Sequence, residues 1–145
     1  MKLSVHAYSM LMAASYAWGQ AQLTYKDCGG SGKINELIAT PCTQEPCEFK
    51  KGTTVHYTIN ITPSTDSDSA TLDATVSVLG LQVPLPNVNR NLCDQGPCPL
   101  QAGVPAVFNI DIPLGPSPQS KTTLTMKVSG NDGLEGCAKV PIFFS

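Results

Sequence analysis

Period-two alternation of apolar and polar residues runs through most of the chain. In Thr54–Ile61, Val55, Tyr57, Ile59 and Ile61 share one face, and Thr54, His56, Thr58 and Asn60 share the other. In Thr71–Val78, Leu72, Ala74, Val76 and Val78 face one way. Phe108, Ile110 and Ile112 alternate with Val107, Asn109 and Asp111. Thr122, Leu124, Met126 and Val128 form another stripe, and Val140, Ile142 and Phe144 the last. Leu23–Tyr25 and Lys33–Ile38 are weaker strand candidates. Turn signals separate these runs at Lys51-Gly52, Pro63–Asp68, Pro84–Asn91, Gly115–Ser120 and Gly130–Gly136. No helical period persists over ten residues. About seven short, half-buried antiparallel strands predict an all-β fold, a two-sheet β-sandwich in one domain.

The inward faces carry no ionisable side chain except Tyr57, and several positions are small (Ala74, Ala106, Ala138). A tightly packed core and an apolar cavity between the sheets would both read this way. Periodicity does not separate them.

Composition agrees with the pattern. The 145 residues include 12 Gly and 12 Pro, too many breakers for a helix bundle. Charged residues make up 14 %, against roughly 25 % in an average soluble protein. Nine Lys and Arg against eleven Asp and Glu give a net charge of −2, which excludes a strongly basic nucleic-acid binder.

Residues 1–19 begin with Lys2, continue as a mostly apolar run and end in small residues, the layout of a secretory signal peptide. Cleavage after Gly19 or Ala21 fits. A membrane anchor or a first helix is the competing reading, but the run is short of ~20 apolar residues and is broken by His6, Ser9, Ser15 and Tyr16. Residues 20–145 then form the folded domain, secreted, with His56 as its single histidine.

The six cysteines fit an oxidising compartment. Cys42 and Cys47 repeat the spacing of Cys93 and Cys98, and each pair brackets a proline. Bridges there would clip short loops, leaving Cys28 and Cys137 to join the ends of the domain. Six cysteines allow many pairings, so spacing suggests this set without fixing it. The paired cysteines would also suit a zinc site, which is uncommon after a signal peptide. No metal or cofactor is expected.

Catalytic chemistry is hard to find. His56 sits on a polar strand face, where a solvated side chain is the simpler reading than a base. There is no G-x-S-x-G elbow and no P-loop. Asp66 and Asp68 begin like a calcium loop, but Thr71 and Ser77 stand where glycine and glutamate are required. An enzyme is not expected. Asn60-Ile61-Thr62 is an N-glycosylation acceptor, with Pro63 lowering its expected occupancy.

The motifs around the cysteines resemble the ML (lipid-recognition) domain family, including Niemann-Pick C type-2 proteins and the dust-mite group-2 allergens. They are YKDCGG (Tyr25–Gly30), PCTQEPCEFKKG (Pro41–Gly52), YTINIT (Tyr57–Thr62), VSVLGLQVPLP (Val76–Pro86), LCDQGPCPLQAG (Leu92–Gly103) and GCAKVPIFF (Gly136–Phe144). The resemblance implies an immunoglobulin-like sandwich with an apolar cavity between its sheets. It implies the bridges Cys28–Cys137, Cys42–Cys47 and Cys93–Cys98, and lipid binding without catalysis. The expected lining is Tyr57, Ile59, Val76, Val78, Phe108, Ile110, Leu124, Met126, Val140 and Ile142, with Leu85 and Leu114 near the mouth. Leu85 and Ala138 fall where the Niemann-Pick C type-2 pattern has Phe and Trp, which implies a differently shaped cavity.

The expected function is a secreted lipid carrier for a sterol, a fatty acid or another lipid. It would act as a monomer that meets a membrane or a lipid-transfer partner protein, with no nucleic acid. The alternative is a lipid-recognition accessory in innate immunity or chemosensation that presents a lipid to a receptor. Its mark would be a basic rim, and Lys50-Lys51 is the only adjacent basic pair.

Overall fold

A computed structural model describes residues 21–115 and 120–144. The expected signal peptide, Met1–Gly19, lies outside the described residues. Two antiparallel sheets pack face to face. One contains β1 (Ala21–Gln22), β3 (Lys33–Thr40), β5 (Thr54–Thr62) and β8 (Ala106–Pro113), in that spatial order. The other runs β2 (Lys26–Asp27), β10 (Gly133–Phe144), β9 (Lys121–Gly130), β6 (Thr71–Val78) and β7 (Leu81–Pro84). The short β4 (Glu48–Phe49) pairs in parallel with the end of β10. Among the described residues no helix is long and apolar enough to cross a membrane.

The alternation becomes burial. On β5, Val55, Tyr57, Ile59 and Ile61 point inward, and opposite them on β8 stand Ile112, Ile110, Phe108 and Ala106 in register. From the other sheet, Leu72, Leu124, Met126, Val128, Val140 and Ile142 complete the core. Burying one such side chain is worth about 1.5–3 kcal/mol, so this interface is the main source of stability. Lys33–Ile38, a weak candidate in the sequence, lies in a full strand, Lys33–Thr40, which has β5 as a partner along its length. Leu23–Tyr25 is not a strand itself; it connects β1 to β2, and the Tyr25 hydroxyl donates to the Ile34 carbonyl at 2.9 Å.

All three expected disulfides are present, Cys28–Cys137, Cys42–Cys47 and Cys93–Cys98, with Cα–Cα separations of 4.9, 5.6 and 5.3 Å.

The expectation that Tyr57 is the only ionisable inward side chain is corrected by Glu135, which is 2 % exposed. A register shift between Leu134 and Gly136 turns Glu135 out of the strand's alternation and under the Pro63–Asp68 turn. Its carboxylate accepts from the Ser64 backbone N–H at 2.8 Å, the Thr65 hydroxyl at 2.8 Å and the Ser64 hydroxyl at 3.0 Å. Burial alone would raise its pKa; these donors outweigh burial and hold it below its ordinary value.

Candidate functional site: an apolar pocket at one end of the sandwich

The β6–β7 hairpin turns tightly at Leu79-Gly80, where both residues have positive φ (51° and 81°). This geometry pairs Val76 with Val83 and Val78 with Leu81 across the hairpin. Pro84 ends the hairpin strand, and the chain returns across Leu85, whose backbone N–H donates to the Ala74 carbonyl at 3.0 Å. On the facing sheet, Pro113 ends β8, and the Leu114 N–H donates to the Thr53 carbonyl at 2.8 Å. The Phe144 N–H donates to the Ser120 carbonyl at 2.9 Å, which holds the end of β10 beside the same opening.

These anchors enclose a pocket of about 270 Å³, lined by Val76, Val78, Val83, Pro84, Leu85, Pro86, Leu114, Gly115, Thr122 and Phe144. Among the described residues Thr122 is its one side-chain hydroxyl, and this donates to the Ser77 carbonyl at 2.6 Å. Among the described residues no charged side chain lines the pocket. Such a wall excludes ions and rewards apolar burial at ~25 cal/mol per Å².

Of the twelve expected lining residues, Val76, Val78, Leu85 and Leu114 meet here. Leu85 is half-buried at the rim, whereas Leu114 is only 3 % exposed and forms an inner wall. Tyr57 and Val140 border a second, smaller space of about 40 Å³ with Phe49 and Phe143, beside the Cys42–Cys47 loop. Burial pushes the Tyr57 phenol well above its ordinary pKa, so it stays neutral. Ile59, Phe108, Ile110, Leu124, Met126 and Ile142 are at most 1 % exposed and fill the core between the sheets, clear of the first pocket.

Val83, Pro84, Pro86, Thr122 and Phe144 line the pocket although they were not expected to. Thr122 and Phe144 already lie on inward stripes by alternation, so that signal was present in the sequence. Beside the opening, Leu79, Leu81 and Val83 are 87, 69 and 41 % exposed.

A two-sheet β-sandwich stapled by three disulfides, with an uncharged apolar pocket at one end, defines the class of this protein. The chain belongs to the ML domain family, whose model matches residues 22–144. Among curated relatives, it is 28 % identical over 120 residues to mite group 2 allergen Pso o 2 of Psoroptes ovis, covering 80 % of this chain and 81 % of that one. It is 35 % identical over 98 residues to NPC intracellular cholesterol transporter 2 of Mus musculus, covering 66 % of each. Among solved structures, a Niemann-Pick type C2 protein from Japanese carpenter ant superposes with a TM-score of 0.73 at 23 % identity, covering 85 % of this chain and all of that one. Chicken MD-1 complexed with lipid IVa gives 0.53 at 17 % identity, covering 84 % of this chain and 94 % of that one. At these identities the two structures speak to the fold alone.

Proposed function

We propose that this chain is a secreted lipid-binding and transport protein. It takes a sterol or fatty-acid-like ligand through the pocket between the β6–β7 hairpin and Leu114, and it carries out no catalysis. The single observation behind this reading is the pocket itself: an uncharged, anchored opening at the end of the sandwich, in a family that includes a cholesterol transporter. Its volume is at the lower edge of the ~300–1,000 Å³ of small-molecule sites. A straight acyl tail therefore fits with less displacement than a sterol ring system. The exposed Leu79, Leu81 and Val83 form an apolar collar beside the opening, which a membrane or an acceptor protein would cover during transfer.

The test is a fluorescent fatty acid or sterol displaced by native lipid extract, measured on wild type and Leu85→Asp. Leu85 is at the rim, so the carboxylate stays solvated when the pocket is empty and must meet apolar ligand when it is full. The expected result is at least a tenfold loss of affinity, about 1.4 kcal/mol, with little change in the melting temperature of the ligand-free protein. Wild type that binds no lipid of any class would overturn the carrier reading. A Leu85→Asp variant as tight as wild type would overturn only the placement of the mouth.

A further inference from the structure

The outer face of the six-stranded sheet has a different chemistry from the pocket behind it. A groove of about 450 Å³ runs over β6, β9 and β10, lined by Asp73, Thr75, Gln82, Thr125, Lys127 and Lys139 beside the Cys28–Cys137 bridge. Thr125 is at its centre. In register it stands between Lys139 on β10 and Thr75 on β6, and Lys127 is the next residue along on the same face. Directly opposed side chains on a sheet start about 4.5–5.5 Å apart, so the Lys139 ammonium reaches the space over Thr125, while Lys127 has Asp73 of β6 directly across from it. Among the described residues neither lysine is ion-paired, while the one acid of the groove, Asp73, is held by Arg90. Lys26 stands opposite Lys139 on the far side and adds a third positive charge.

A second observation is independent of these charges. Thr125 is 5 % exposed, and its Oγ1 is the only buried side-chain polar atom among the described residues without a hydrogen-bond partner. A buried hydroxyl left unpaired costs stability, and valine would fill the same volume without that cost. Next to it the Thr75 hydroxyl donates to Gln82 Oε1 at 3.0 Å, which leaves the Gln82 Nε2 protons free to donate elsewhere. The groove thus presents two ammonium groups outside any ion pair, one amide donor and one orphan hydroxyl, and its one carboxylate, Asp73 opposite Lys127, is bound to Arg90.

We propose that this groove is a binding site for a phosphate group, separate from the apolar pocket and on the opposite face of the same sheet. Lys127 and Lys139 supply the charge, and the Gln82 amide and the Thr125 hydroxyl supply directed hydrogen bonds. The phosphate could come from a lipid headgroup or from a free anion; the chemistry of the groove is common to both.

The test is a titration of the isotope-labelled, disulfide-bonded chain with inorganic phosphate, read from backbone amide shifts, alongside co-sedimentation with phosphatidylglycerol and phosphatidylcholine vesicles. Saturable shifts centred on Thr75, Thr125, Lys127 and Lys139 are expected. The Lys127→Gln, Lys139→Gln double variant should weaken phosphate binding at least tenfold. Thr125→Val should weaken it at least threefold while leaving the thermal midpoint unchanged or higher. Co-sedimentation with phosphatidylglycerol alone, lost in the double variant, assigns the phosphate to a headgroup; phosphate shifts without co-sedimentation assign it to a free anion. The proposal is overturned if shifts are absent or map elsewhere and no lysine-dependent co-sedimentation occurs. It is also overturned if Thr125→Val binds phosphate as tightly as wild type, since the hydroxyl would then be an ordinary packing defect.

Discussion

Glu135 shows how one residue can escape a pattern and still hold two parts of the fold together. Its carboxylate ties the Pro63–Asp68 turn to the start of β10 through Ser64 and Thr65. Replacing it with alanine leaves those donors without an acceptor, so Glu135→Ala should cost about 1–3 kcal/mol in denaturant unfolding. The pH dependence has a definite sign. The folded carboxyl sits below its ordinary value of 4.5, so its contribution is full above that pH and is lost as pH falls through the folded value. Melting temperature should therefore drop more steeply on acidification in wild type than in Glu135→Gln, and parallel profiles would refute the role. Asn60 is simpler. It lies on the outer face of β5, half-buried, with its Oδ1 accepting from Asn35 at 3.2 Å. A glycan there attaches at Nδ2, so Oδ1 still accepts from Asn35 and the core is not touched. Asn60→Gln should remove a glycosidase-sensitive mass increment from protein made in a eukaryotic host while the fold is retained. The absence of any increment in wild type would show that the acceptor is silent.

At the scale of elements, the long strands were legible and the short ones were not. The inward stripes of β5, β8 and β9 follow from alternation, because each strand has one face in the core and one in water. Two-residue strands such as β1, β2 and β4 are too short to show a period. The β6–β7 hairpin was hidden for another reason. Its turn is Leu79-Gly80 rather than Asn-Gly or Asp-Gly, so no strong turn signal separates Val78 from Leu81. Four of the ten described lining residues, Val76, Val78, Val83 and Pro84, are on that hairpin, so the pocket's wall was only partly visible in the sequence. The bulge that buries Glu135 has no sequence signal either. Leu79 at positive φ is strained, and with its side chain 87 % exposed it loses no packing on replacement. Leu79→Asn should raise stability by about 0.5–1 kcal/mol, seen as a rise of about 2–4 °C in melting temperature. A lower melting temperature would mean that the leucine packs against a neighbour.

Over the whole molecule, β10 is the organising element. It pairs with β2, β4 and β9, and through Cys137 it holds Cys28 near the other end of the domain. That bridge spans a sequence separation of 109, and the two loop bridges span 5 each. In the chain-entropy view the long bridge is worth about 4–5 kcal/mol and each short one about 2 kcal/mol. The double variant Cys28→Ser, Cys137→Ser should accordingly lose about twice the unfolding free energy of Cys93→Ser, Cys98→Ser. Equal losses would show that strain or residual unfolded structure, not loop closure, decides their worth.

The placement of the three bridges also bears on how the interior can respond. Cys28–Cys137 joins the start of β10's own sheet to β10, and the other two lie within connecting loops. None fastens a strand of one sheet to a strand of the other, where the antibody sandwich carries its bridge. The two layers are therefore held at their working distance by side-chain contacts and by the loops at their edges. Within each layer the hydrogen-bonded ladders and the terminal staple resist distortion, but the spacing between layers has no covalent stop. Under the proposed carrier function, a guest entering between Tyr57, Ile110, Leu124 and Ile142 would therefore part side-chain contacts rather than a covalent bond.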